Sequence, residues 1–151
     1  RIVVLPVRDG DEVLDAFVTN GFPDPLRGLL SAAPGSAMRV GVFGTGAAAM
    51  KVWEALAEID LAETAWFADN NKEQQGHSLL WVNVIAPADI MARGFDAVVI
   101  GSMSRQPIRN QLLALGVSPG QILTPDVQGP VDQIKKQLLL GLHDLAHREA
   151  A

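Results

Sequence analysis

Apolar residues fall along the chain in two rhythms. Short runs rich in β-formers occur at Val40–Phe43, Thr64–Ala68, Asn83–Ile85, Phe95–Ile100 and Gln121–Thr124, and each stops at Gly, Asp, Ala-Pro or Pro. Runs of that length and composition, closed by such residues, read as strands, and Gly76 to Ala86 reads as a strand or small hairpin carrying the third of them. Between them the apolar positions recur at helical spacing. Met50, Trp53, Leu56 and Ala57 form one face of a helix from Ala47 to Ile59, with Trp53 expected in the core. A short helix begins at Pro87 and ends at Gly94. Another runs from Arg105 to Leu115, with Pro107 in its first turn and Gly116 closing it. Pro130 opens a long helix to about Glu149, striped by Val131, Ile134, Leu138, Leu142 and Leu145. Leu139 and Leu140 widen that stripe beyond what one contact needs, which implies a homodimer contact or a link to a catalytic domain through this helix.

Strands alternating with helices predict an α/β fold whose sheet is parallel, with right-handed crossovers. The expected order is 3-2-1-4-5, with a crevice between the first and fourth strands. Ahead of it lie a short strand at Ile2–Leu5, a helix capped by Asp9 or Asp11 and running through Thr19, and a second helix from Leu26 to Ala33. Pro34-Gly35-Ser36 is a linker. The chain therefore divides into 1–37, a helical cap or the tail of a preceding region; 38–126, the α/β domain; and 127–151, the amphipathic helix.

The stretch richest in chemistry is Gly44-Thr45-Gly46-Ala47-Ala48-Ala49, set where the first strand meets its helix. Gly44 permits a tight turn, Gly46 allows backbone to approach a pyrophosphate, and Ala49 lets the helix lie close on the strand. The helix start at Ala47 offers unpaired N–H groups and a positive dipole end to an anion. The competing reading is a bare βα turn. About 20 residues further on, at the end of the second strand, Asp69 stands where such folds place the acid that holds the adenosine ribose hydroxyls. With Asn70 and Asn71 it can equally form a capped turn. Asp69 favours an unphosphorylated ribose, while nearby Lys72 keeps a 2′-phosphate open. At the end of the fourth strand, Ser102, Ser104 and Arg105 can meet a second phosphate or a sugar hydroxyl, or Ser104 can simply cap the next helix.

Composition narrows the chemistry. The chain has 151 residues, 48% of them hydrophobic, enough for one well-buried core. A net charge of −5 argues against nucleic acid as a partner. Without cysteine there is no disulfide, zinc-thiolate site or thiol nucleophile. Without tyrosine, the Tyr/Lys proton transfer of short-chain dehydrogenases and epimerases is closed to it. No apolar run reaches the ~18 residues of a membrane span, and a cytoplasmic setting is the default expectation. The start at Arg1 suggests a trimmed chain or one domain of a longer protein. His143 and His147, spaced i, i+4, have the geometry of a metal pair, but Asp144 follows where a metalloprotease motif needs Glu; a solvated face is expected. His77 is expected to be a solvated turn residue.

The order of pieces from Val40 to Thr124 resembles the small Rossmann domains of polysaccharide-biosynthesis proteins. These include the amino-terminal domains of sugar acetyltransferases and of sugar-nucleotide dehydratases, and domains preceding FkbM-type methyltransferases. The pieces are Gly44-Thr45-Gly46, Phe67-Ala68-Asp69-Asn70, Gly76, Val84-Ile85-Ala86-Pro87, Phe95-Asp96-Ala97-Val98-Val99-Ile100 and Gln111-Leu112-Leu113-Ala114-Leu115-Gly116-Val117. Two features depart from the pattern: Trp81 stands where relatives have glycine or another small residue, and the Gly-His-Gly of the acetyltransferase branch is missing. The resemblance implies a three-layer α/β/α Rossmann-like fold and a ligand that is NAD, NADP or a nucleotide sugar. Gly44, Thr45, Gly46, Ala47, Asp69, Asn70, Ser102 and Ser104 are the expected contacts. It implies binding without assigning chemistry, because in several relatives a neighbouring domain reacts. An accessory nucleotide-binding domain in glycan biosynthesis, not catalytic alone, is the resulting expectation. An NAD(P)-dependent oxidoreductase, or a fragment of a sugar-modifying enzyme or methyltransferase, is the alternative. No catalytic or metal-binding residue is assigned.

Overall fold

Alternation along the central strands sorts their side chains into two cores, one on each face of a sheet. A computed structural model describes residues 37–150, with side chains described through 147. The elements expected within 1–36 lie outside the described residues. From Met38 the order is β1 (Met38–Phe43), α1 (Ala47–Ala57), β2 (Ala62–Ala68), β3 (Ser78–Leu79), β4 (Val82–Ile85), α2 (Ile90–Arg93), β5 (Ala97–Ile100), α3 (Arg105–Leu115), β6 (Ile122–Leu123) and α4 (Val131–Ala150). The sheet order is β3-β4-β2-β1-β5-β6. All pairings are parallel except β3 with β4. The five expected strands thus keep the expected 3-2-1-4-5 order, and the addition is β3, an antiparallel edge strand.

On one face Val40, Val42, Phe67 and Val99 join Ala49, Val52, Ala55 and Leu56 of α1 with Ile134, Leu138, Leu142 and Leu145 of α4. On the other, Phe43, Trp66, Val98 and Ile100 pack with Ile90 of α2 and Ile108 and Leu112 of α3. This is the period-two pattern of a sheet covered on both sides. Trp66 is fully buried, donates its Nε1–H to the Gly94 carbonyl at 3.3 Å and meets Phe95 edge-on with ring centroids 6.1 Å apart. Its ring fills the space beside Gly41, where any Cβ would overlap it.

One expectation needs correction. The buried line of α1 is Ala49, Val52, Ala55 and Leu56, while Met50 and Trp53 are only half-buried and Ala57 is exposed. Small residues let the helix lie close to the sheet, so the alanines turn inward and the larger side chains flank them. The hairpin from β3 to β4 turns on Leu80 and Trp81, with φ of 53° and 64°. That pair of positive φ values belongs to a type I′ turn, normally built from Asn and Gly. A small residue at 81 would suit this backbone; Trp81 instead stands 96% exposed. On α4 the inner stripe is the expected one, and Leu139 and Leu140 are exposed.

Candidate functional site

The site is built where β1 ends between its two neighbours. The Gly44 N–H donates to the Ala68 carbonyl at 2.7 Å, and the Gly101 N–H to the Phe43 carbonyl at 2.9 Å, so three strand ends are locked together at one edge. The connection out of β1 leads to β2 on one side, while β5, entered later from β4, pairs with β1 on the other, so β1 ends at the switch point at which open parallel sheets bind ligands. Gly44 turns the chain at φ +126°, and a Cβ there would lie 2.5 Å from the Gly101 carbonyl oxygen and 3.6 Å from Ala49 Cβ. Glycine at 44 is therefore set by the close approach of the Gly101 carbonyl, and glycine at 101 by α1, since a Cβ there would lie 2.8 Å from Ala49 Cα.

Gly46 occupies the N-cap of α1 in an extended conformation (φ −91°, ψ −160°) and no side chain caps the helix. The first bond of the helix runs from the Met50 N–H to the Gly46 carbonyl at 3.1 Å. The N–H groups of Ala47 and Ala48 are thus left for something outside the helix. Above Gly46 a Cβ would meet no atom within 4 Å. The combination is an open, electropositive backbone surface.

Asp69, half-buried after β2, is tied to this surface. The Thr45 hydroxyl donates to Asp69 Oδ2 at 2.7 Å, and the Asn71 N–H donates to Oδ1 at 2.8 Å. The Gln75 side-chain amide donates to the Asp69 carbonyl at 2.8 Å. Both readings of Asp69 therefore have a basis: it organises its own turn, and each carboxylate oxygen keeps a lone pair for a ribose hydroxyl. Asn70 is engaged elsewhere. Its amide exchanges two hydrogen bonds with Gln111 of α3, at 3.0 and 2.8 Å.

Across the crevice, Ser102 Oγ accepts the Ser104 N–H at 3.1 Å. Ser104 sits at the N-cap of α3, yet its hydroxyl caps nothing. Its ψ of 56° departs from the extended backbone in which a capping oxygen reaches the N2 or N3 N–H. Arg105 Nη1 donates to the Thr124 carbonyl at 3.1 Å. Gly44, Thr45, Gly46, Ala47 and Asp69 are thus gathered into one cluster, and Ser102, Ser104 and Arg105 follow Gly101 in the connection after β5, the next strand along the same edge. The sequence reading overlooked three contributors. Gly101 holds the floor, Gln111 fastens Asn70, and Arg109 lies one turn beyond Arg105 on α3. The spacing of the two arginines was the available signal for the last.

On α4, His143 and His147 are exposed with ring centroids 4.1 Å apart, and His147 Nδ1 lies 3.0 Å from the His143 carbonyl. Among the described residues no cluster of three or more potential ligands could hold a metal ion, and no helix is long and apolar enough to cross a membrane.

A family model described as C2185-like, N-terminal, matches residues 36–123, more than half of the chain. The chain is also similar in structure to UDP-D-quinovosamine 4-dehydrogenase from Vibrio fischeri, with a TM-score of 0.50 and 17% identity over 60% of this chain and 79% of that one. At such identity the likeness is one of fold. No curated protein shows significant similarity to the chain.

Proposed function

The chain belongs to the C2185-like, N-terminal family, and we propose that this domain binds a dinucleotide or nucleotide sugar as an accessory module in glycan biosynthesis, with the reaction carried out by a partner domain. One observation carries the proposal. The space over Gly46 is open, at the uncapped start of α1, while Asp69 is bonded to the same loop. The diphosphate would lie on Gly44–Ala47, where backbone N–H groups and the helix dipole favour an anion. The Asp69 carboxylate would accept from the adjoining ribose. The dehydrogenase of similar fold acts on a UDP-sugar by its description, which agrees with a ligand of this class. That same description favours the second reading, an NAD(P)-dependent oxidoreductase. Against it stands the lack of any tyrosine for the familiar proton transfer.

The test is thermal unfolding in the presence of NAD, NADP, UDP-sugars, coenzyme A and S-adenosylmethionine in turn. A ligand at about 100 times its dissociation constant should add about 2.7 kcal/mol of stability. A shift with a UDP-sugar or NAD supports the reading, and turnover of the ligand by this chain alone would replace it with the oxidoreductase. No shift with any of these ligands would remove the nucleotide from the account.

A further inference from the structure

The first two turns of α3 break a local rule. Arg105 opens the helix and Arg109 follows one turn later on the same face, with no acidic residue in the first turn and no side-chain cap. Cations at a helix N-terminus oppose the macrodipole, and like charges at i, i+4 oppose each other. Neither guanidinium has a carboxylate partner among the described residues, and Arg109 is half-buried with no hydrogen-bond partner there at all. Both line an open cleft of about 530 Å³, together with Ser104, Met103 and Thr124. The bond from Arg105 Nη1 to the Thr124 carbonyl spans from α3 to the end of β6 and fixes one guanidinium in place, leaving its other donors available. A rule broken without compensation inside the fold points to a compensating group outside it.

The position of the cleft in the sheet bears on the nature of that group. Asp69 follows β2, the Gly44–Ala47 loop follows β1, and the cleft lies beyond β5 and β6, so the three follow one another along a single sheet edge. Resting on the nucleotide reading above, a ligand with its ribose at Asp69 and its diphosphate on the loop directs its remaining group toward the arginines. We propose that this group carries a carboxylate, so that the ligand is a nucleoside diphosphate linked to a sugar acid. A guanidinium fork matches a carboxylate with two parallel hydrogen bonds, which a neutral sugar cannot reproduce. The oxidised nicotinamide of NAD, itself a cation, would be repelled from the same cleft.

Calorimetric titration of the full chain with UDP-glucuronate and UDP-glucose tests this. The acid should bind at least about tenfold more tightly, the effect of one or more charge-assisted hydrogen bonds. Arg109→Gln and Arg105→Gln should each collapse that preference to about two- or threefold. Equal affinities in the unaltered protein, or a preference that survives both substitutions, would overturn the proposal and leave the nucleotide reading standing. If neither nucleotide binds, both fall. If the acid binds, is lost in Arg109→Gln and is kept in Gly46→Val, the arginine cleft stands and the diphosphate has been misplaced.

Discussion

Gly44 and Gly46 are the same letter two positions apart, and the structure gives them opposite duties. At 44 the backbone itself needs glycine: φ is +126° and the Gly101 carbonyl lies 2.5 Å from any Cβ. Gly44→Ala should therefore lower stability by at least about 1–3 kcal/mol, the range for a residue forced into sparsely allowed backbone, read from denaturant unfolding. At 46 the backbone is extended and the space is empty, so Gly46→Val should hold the fold to within about 1 kcal/mol, the scale of a poor N-cap. The valine methyls would then occupy the space in which a diphosphate approaches Ala47 and Ala48, and the ligand-induced thermal shift should vanish. A stable Gly46→Val protein that still binds nucleotide would dissociate the loop from the ligand. Both glycines were legible as a motif, as was Asp69 from its spacing. The Thr45–Asp69 bond was not, because it depends on where the loop's own side chain points once the turn has formed.

Element by element, the sequence was most informative where period and punctuation agreed. β1, β5, α3 and α4 carry clean apolar patterns and stop at Gly44, Gly101, Gly116 and, at its start, Pro130. It was least informative where packing overrode the pattern. The inner line of α1 is made largely of alanine and valine, and a stripe judged by side-chain size selects Met50 and Trp53 instead. The β3–β4 hairpin was only half legible, because Leu80-Trp81 carries no turn signal although both residues adopt positive φ. That turn makes a prediction of its own. Trp81 is 96% exposed, so replacing it forfeits almost no burial, while φ +64° costs a non-glycine residue roughly 1–2 kcal/mol. Trp81→Gly should raise stability, by up to about 1 kcal/mol after the entropy that glycine adds to the unfolded chain. A fall in the unfolding midpoint would show that the indole makes a contact of its own.

At the scale of the whole unit, the loop depends on two cores that meet only through the sheet. α1, whose start forms the candidate site, is held from behind by α4, whose Ile134, Leu138 and Leu142 share one buried cluster with Val52 and Leu56. Lys51 adds a polar tie, donating to the carbonyls of Val127 at 3.3 Å and Gly129 at 3.1 Å in the connection leading to α4. A surface ion pair, Lys135 to Glu58 at 3.3 Å, joins the same two helices. These attachments differ in weight. Leu142 is fully buried, and Leu142→Ala should cost about 2–5 kcal/mol, the transfer of its methyl groups plus the cavity left behind. The side chains of Lys135 and Glu58 remain 33% and 48% exposed, so Glu58→Gln should change stability by no more than about 1 kcal/mol, less at high salt. Urea unfolding of the two variants separates the cases. If α4 seats α1 as the packing indicates, Leu142→Ala should also weaken nucleotide binding at temperatures where the protein is still folded, because the N–H groups of Ala47 and Ala48, which precede the first helical bond, are aimed by the helix as a body. Destabilisation with unchanged affinity in the folded state would mean that β1, β5 and the Gly44–Gly101 contact suffice to aim the loop without α4.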